Sequence, residues 1–296
     1  MASTLNLTAL EDYVNVHKDE LFVKSAVGAK TLNYIDIMGN VKYKDELIYL
    51  SSTAVLADGS ECGFTPAGTD VFSPKYIEVK PVKVEKEWCA LDFRKKFANY
   101  ALNVEAGRET MPFEEKISEA NVEAVKLAVE NLIWKGDSGL SIVGLKQQIT
   151  ADATAIAVTK GDTTTATIDA IVAKLPVAAL AKGVDVFMSF STYRSYVQEQ
   201  NAYGFANRPV IDAAQDTLVY AGDSRVRLIP TIGLEGANII IAASRDNLVF
   251  GTDIEGSDTV YRLWYDEKDD MFRFRIRFNA GMAYKYGDEI VYSNLA

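Results

Sequence analysis

An α+β architecture follows from three stretches of this 296-residue chain. A long helical pattern runs from 112 to 136, short β-type segments precede it, and a compact mixed α/β region leading to an alternating strand pair follows it. The composition supports a globular reading. With 48% hydrophobic and 24% charged residues, the chain can bury a real core as one large or two medium domains.

Residues 1–35 carry few periodic signals and end in a polar, Gly-containing run from 24 to 31. They read as an extended or partly helical arm that finds little to pack on within its own subunit. The opening stretch, MASTLNLTALEDYVNVHKDELF, lacks the basic start and long apolar run of a secretory signal. No later apolar run approaches the roughly 18 residues that span a bilayer. The chain is therefore expected to fold in a cytoplasm and to have no membrane partner.

Residues 36–90 read as a long two-stranded excursion, with β-type runs at 41–50 and 76–88 around a turn-rich middle holding Asp58-Gly59, Pro66 and Ser73-Pro74. In its second arm Ile77, Val79, Val82 and Val84 mix with Lys75, Lys80, Lys83 and Lys86, giving a ribbon with one apolar and one basic face. A lone hairpin is marginal in water, so the ribbon is expected to lie on something else.

The helical stretch opens at Pro112, which tolerates only a helix start. Glu114 and Glu115 place negative charge in the first turn, where the amide dipoles favour it. Gly136 supplies the stop. At about 1.5 Å per residue this is a strut of roughly 36 Å. Val122, Val125, Val129, Leu132 and Ile133 form one apolar stripe, and Ile117, Ala120, Ala124 and Ala128 form a small-residue stripe beside it. Two such stripes suit a helix lying flat on a sheet.

Beyond Gly136 a polar loop at 160–165 precedes a helix over 167–181, a buried-type strand at 184–190 and a short helix over 192–200. A loop at 201–208 and strands at 225–229, 238–243 and 247–250 follow. The clearest strand pair is TVYRLWYDEKDDMFRFRIRF. There Tyr261, Leu263 and Tyr265 alternate with Arg262 and Trp264, and Phe272, Phe274, Ile276 and Phe278 alternate with Arg273, Arg275 and Arg277. One face is aromatic. The other is an arginine ladder that suits either water or, through bidentate pairing, the carboxylates of a neighbouring subunit. No internal repeat or low-complexity tract is present.

Charge and rare residues narrow the chemistry. The net charge is -10, which disfavours nonspecific binding to phosphate backbones. Cys62 and Cys89 are the only cysteines and His17 is the sole histidine, a poor set for a zinc site. The two thiols are expected to be reduced, with a Cys62–Cys89 disulfide as the alternative. Gly136-Asp137-Ser138-Gly139 spells the string around a trypsin-like nucleophile, but its only candidate base, His17, lies in the arm, and a glycine stop followed by a turn explains it better. Asp266, Glu267, Asp269 and Asp270 lack the glycine and distal Glu of a calcium loop, so they read as a solvated turn. No dinucleotide fingerprint or P-loop occurs. An enzyme is not expected, nor is a cofactor or a bound metal.

In order, these pieces resemble the major capsid protein of tailed bacteriophages, the Hong-Kong-97-type fold. The resemblance rests on FEEKISEANVEAVKLAVENLIWKGD as a spine helix and on NLVFGTD leading into VYRLWYDEKDDMFRFRIRFNAGMAY, and it covers nearly the whole chain. It implies an N-terminal arm at 1–35, an extended loop at 36–90, a peripheral domain from 91–137 and 251–282, and an axial domain from 138–250 and 283–296. It also implies hexamers and pentamers in an icosahedral shell that encloses DNA without reading its sequence. Separate scaffolding, portal and decoration proteins are implied partners, and the virion, assembled in a bacterial cytoplasm, is the implied location. Lys75, Lys80, Lys83, Arg273, Arg275 and Arg277 are the candidate intersubunit contacts. Certain relatives join a loop lysine to a peripheral-domain asparagine, for which Lys42, Lys44, Lys75 and Asn279 supply the residue types. The alternatives are an encapsulin-like compartment shell and, in a different class, a soluble enzyme with an inserted hairpin.

Overall fold

The computed structural model describes residues 16–17, 20–21, 24–25, 28–56, 68–89, 92, 113–202, 210–212, 217–253 and 260–295. A 3-10 turn at Lys30–Asn33 leads into β1 (Asp36–Met38), the hairpin strands β2 (Lys44–Ala54) and β3 (Gly68–Glu78), and then β4 (Lys80–Cys89). Helix α1 (Phe113–Lys135) follows and ends in a small turn made by β5 (Gly136–Asp137) and β6 (Ile142–Val143). Next come α2 (Leu145–Ala151), β7 (Ile156–Ala157), α3 (Thr164–Lys174), α4 (Val177–Lys182), β8 (Val184–Ser189) and α5 (Phe190–Ala202). The remaining strands are β9 (Val210–Asp212), β10 (Thr217–Val219), β11 (Val226–Thr231), β12 (Ile239–Ser244), β13 (Leu248–Thr252), β14 (Val260–Asp266), β15 (Met271–Tyr284) and β16 (Ile290–Asn294).

Helix α1 joins the two main sheets. Val122, Val125, Val129, Leu132 and Ile133 are all buried, and Trp134 is fully enclosed. Gly136 ends the helix at φ +70°, a left-handed value that suits glycine. The small-residue stripe behaves differently from expectation. Ala120, Ala124 and Ala128 are exposed, and Ser118, Asn121 and Glu130 are buried instead. The helix therefore buries one broad face, and polar side chains enter that face because the chain supplies them with partners.

One sheet is organised by β15. Its first part pairs antiparallel with β14 on one edge and with β4 on the other, and its last residues pair with β13, which in turn pairs parallel with β1. Alternation makes Phe272, Phe274, Ile276 and Phe278 the buried face. The expected two-stranded excursion is thus divided. Residues 68–78 pair with 44–54 as a hairpin, but from Lys80 onward the chain leaves the hairpin and becomes a strand of this sheet. Pairing there buries Val82 and packs Val84 and Trp88 on the core, which an isolated ribbon could not do.

The second sheet has the order β7-β16-β12-β8-β11-β10-β9. Every residue of β8 and β12 is buried, because both faces are covered. Phe187, Ile229, Ile239 and Ile241 join the core that contains the end of α1. On the opposite face Val184, Val186, Leu228 and Ile240 pack with Ile168, Ile171, Ala179 and Tyr196 from α3, α4 and α5. The single helix expected over 167–181 is two, because Pro176 lacks the N–H that a continuous helix needs and stands at the N-terminus of α4. The C-terminal segment returns to this sheet as β16 beside β12.

The arm is also revised. Ala29, Leu32 and Ile35 belong to the main core, so residues 28–35 pack firmly on their own subunit. Residues 1–15 lie outside the described residues, as does the turn-rich middle of the extended loop at 57–67 with Cys62.

Candidate subunit-contact surfaces

His17, Ser138 and the acidic turn at 266–270, singled out for possible catalysis or metal binding, lie far apart in the chain. Ser138 sits in the exposed turn between β5 and β6, where its carbonyl accepts from Ser141 N at 3.2 Å and Gly139 N donates to Asp137 Oδ1 at 2.8 Å. His17 lies 3.5 Å from Glu20. In the acidic turn Asp266 and Asp269 hold Arg273, and Asp270 accepts the Tyr265 hydroxyl. Among the described residues no group of three or more His, Cys, Asp or Glu is arranged to hold a metal ion. A cavity of about 340 Å³ lies beside the N-terminus of α3. The carboxylate of Glu199, reaching from α5, already accepts from Thr164 N at 2.9 Å and Thr165 N at 2.7 Å, so the anion position there is filled from within the chain.

At the arm, a buried polar junction does the fastening. Glu130 of α1 is 2% exposed and accepts from Thr31 N at 3.1 Å and from the Thr31 hydroxyl. Thr31 Oγ1 in turn accepts from Trp134 Nε1 at 2.9 Å. Burial pushes the Glu130 carboxyl above the usual range, although the Thr31 bonds oppose that shift. The apolar stripe expected on α1 leaves Glu130 out. The signal that could have found it is its place between Val129 and Ile133 on the apolar side.

The hairpin of β2 and β3 pairs over eleven register positions, from Lys44 with Glu78 to Ala54 with Gly68. Its root is apolar: Leu47, Ile77 and Val79 form a cluster with Val41, Val249 and Ala283. Tyr43 and Tyr76 remain half exposed or more near that root, and Leu56 beyond β2 is 99% exposed. Lys75 does not join a basic outer face. Its Nζ turns inward, 3.5 Å from Asp152 Oδ2 and 3.7 Å from the centre of the Tyr284 ring. Burial raises Asp152, but bonds from Tyr284 and Thr154 and the charge of Lys75 outweigh it and hold the carboxyl at about 2.

The polar face of the sheet around β15 carries both charges. Register places Arg273 opposite Glu87, Arg275 opposite Glu85 and Arg277 opposite Lys83. Arg275 Nε donates to Glu85 at 2.7 Å, and Arg273 donates to Asp266 and Asp269. Two guanidinium groups approach the Trp264 ring, Arg262 at 5.5 Å and Arg275 at 5.6 Å from its centre. Glu85, Glu87, Trp264, Arg273 and Arg275, with Lys86 and Phe274, line an open groove of about 410 Å³. Two of the expected contact lysines are used elsewhere: Lys75 is turned inward, and Lys80 donates to Ser141 O at 2.7 Å. Lys86, part of the same basic pattern, reaches Asn121 Oδ1 of α1 at 3.1 Å, and burial lowers its pKa. Lys83 is exposed and pairs with Glu85 at 2.9 Å.

No family model matches the chain, and no curated protein matches its sequence. Solved structures do match it over almost its whole length. The procapsid of satellite phage P4, which includes the size-determination protein Sid, aligns with TM-score 0.57 and 12% identity, covering 95% of this chain and 98% of the other. The capsid of Myoviridae phage XM1 aligns with TM-score 0.57 and 14% identity over 91% and 92%. A virus-like particle from Pyrococcus furiosus gives 0.55 and 11% over 96% and 100%. The alignments cover between 91% and 96% of this chain rather than one module. This chain has the Hong-Kong-97-type fold of tailed-bacteriophage capsid proteins.

Proposed function

We propose that this chain is the major capsid protein of a tailed bacteriophage, self-assembling into hexamers and pentamers that close into an icosahedral head around double-stranded DNA. The observation that carries this reading is the two-way coverage: 95% of this chain aligns with 98% of a chain of the satellite phage P4 procapsid. In this reading residues 1–35 are the arm and 36–90 the extended loop. Residues 91–137 and 251–282 make the peripheral domain, and 138–250 with 283–296 the axial domain, the boundary at 250 falling within β13. The hairpin lies across an adjacent subunit and offers Tyr43, Tyr76 and Leu56 for burial there. Lys83, Arg273, Arg275 and Arg277 contact a neighbour at the polar sheet face, with Lys75 and Lys80 entering only if their present partners are exchanged. Repeated head-to-tail contacts of this kind close into rings. The net charge of -10 suits a lining from which packaged DNA is repelled and free to slide.

A second reading, a protein-compartment shell, is favoured by the match to the Pyrococcus furiosus particle, which covers all of that chain. Electron microscopy of the purified protein, followed by analysis of nuclease-protected contents, separates the readings. Closed shells around DNA support the phage head, closed shells around protein cargo support the compartment, and uniform monomers oppose both.

A further inference from the structure

Lys75 inverts the usual behaviour of a lysine. Such side chains normally bury the aliphatic stem and keep the ammonium in water. Here the side chain as a whole is 34% exposed, yet Nζ is shut away from solvent and makes no hydrogen bond with the described residues. Asp152 Oδ2, 3.5 Å away, is occupied by the Tyr284 hydroxyl at 2.5 Å, and Asp152 Oδ1 accepts from Thr154 N and Oγ1 at 2.8 and 2.7 Å. The loop around Gly287 closes the seat, since a Cβ there would fall 2.7 Å from Asp152 Oδ2. The other face of Nζ meets the Tyr284 ring at 3.7 Å.

An ammonium stripped of water needs its three donors satisfied, and one oblique carboxylate with one ring face does not do this. The charged groups facing Lys75 are Asp152, at the end of α2, and Asp288, in the loop before β16. Their attraction only partly offsets the loss of hydration, in keeping with the lowered pKa of Lys75. Further along the chain, Ile77 of β3 and Val79 just past its end pack on Gly251, with Ile77 at 0% and Val79 at 2% exposure.

We infer that Lys75 is the catch of a hinge: Ile77 and Val79 act as the pivot, and the buried Lys75 ammonium biases the β2–β3 hairpin to swing out of its observed setting and return the charge to water. The hairpin angle is then held by apolar packing at the pivot and opposed by the catch. The sign is opposite to that of a salt-bridge clamp. Removing the charge, or deprotonating it at higher pH, strengthens the seat.

Hydrogen exchange on the full unassembled chain tests this, comparing wild type with Lys75→Met, which keeps the stem and removes the charge. Amides at 44–50 and 72–78 are expected to exchange several-fold more slowly in Lys75→Met, while those of β12 stay unchanged. Faster exchange in a folded Lys75→Met would overturn the inference and make Lys75 a stabilising clamp, and an unchanged rate would also overturn it. Should Lys75→Met not fold, the wild-type ratio of hairpin to β12 exchange at pH 7 and pH 9 decides. A ratio that falls at pH 9 supports the catch, and one that rises or stays constant contradicts it.

Discussion

Gly251 and Gly281 face each other as register partners between β13 and β15, and the root of the hairpin lies across both. A Cβ at 251 would stand 2.7 Å from Ile77 Cδ1 and 3.0 Å from Val79 Cγ1, and a Cβ at 281 would run into the Glu78 carbonyl. The pair forms a slot in the sheet through which the chain passes from β3 to β4. Neither φ is the reason for glycine here; the closeness of the crossing backbone is.

Gly281→Val is therefore expected to destabilise the subunit by about 2 to 3 kcal/mol, the range for overpacking against backbone that cannot retreat. Gly251→Ala should cost less, about 1 kcal/mol, because the Ile77 side chain can turn aside. Urea denaturation midpoints of the two variants check the order. Equal midpoints for wild type and Gly281→Val would remove the slot.

The arm divides at Thr31. Deleting residues 1–30 keeps Thr31 with Glu130 and should leave a folded subunit that assembles poorly, whereas deletion of 1–35 removes Leu32 and Ile35 from the core and should prevent folding. Glu130→Ala strands buried donors of Thr31 and is expected to cost about 2 kcal/mol. Circular dichroism and sedimentation of the three proteins separate folding from assembly.

Replacing Arg273, Arg275 and Arg277 together with Gln should leave the fold nearly intact, since solvent-screened surface pairs contribute little to stability. Assembly should weaken, and its dependence on salt should flatten, because screened charges have been removed. Light scattering across a salt series reads this directly. A variant that assembles with the wild-type salt dependence would return the arginine face to water.

Asp152 gives a pH signature. Its folded pKa of about 2 lies below the ordinary 3.8, so it contributes stability that is present above about pH 4 and lost as pH falls toward 2. The contribution is about 2 kcal/mol for this mostly buried carboxylate. Asp152→Asn should lower stability at pH 6 and flatten the loss between pH 4 and pH 2, as measured by denaturant titration at each pH.

Local patterning made much of this fold legible. The spine helix, its glycine stop and the alternation of Phe272 to Phe278 follow from periods of 3.6 and 2 that any buried face must obey. What could not be read locally was pairing at long range. Whether β4 continues the hairpin or joins β15 depends on residues almost two hundred positions away. A clue was nonetheless present, since Lys80 and Lys86 share the parity of Val82 and Val84 and so leave the basic edge on their side of the strand. Their ammonium groups find Ser141 O at an exposed turn and the part-buried Asn121 Oδ1, partners that only the folded chain brings near. Pro176 was a local signal of the break between α3 and α4 that the apolar pattern over 167–181 concealed.

The central claim is that this fold builds a shell, with the hairpin and arm completed by other copies. Cryo-electron microscopy of particles formed by the full chain tests it most directly. The expected result is a closed icosahedral shell in which β2 and β3 lie against the adjacent subunit and cover Tyr43, Tyr76 and Leu56. A uniform monomer at high concentration, with those side chains still facing water, would contradict the claim.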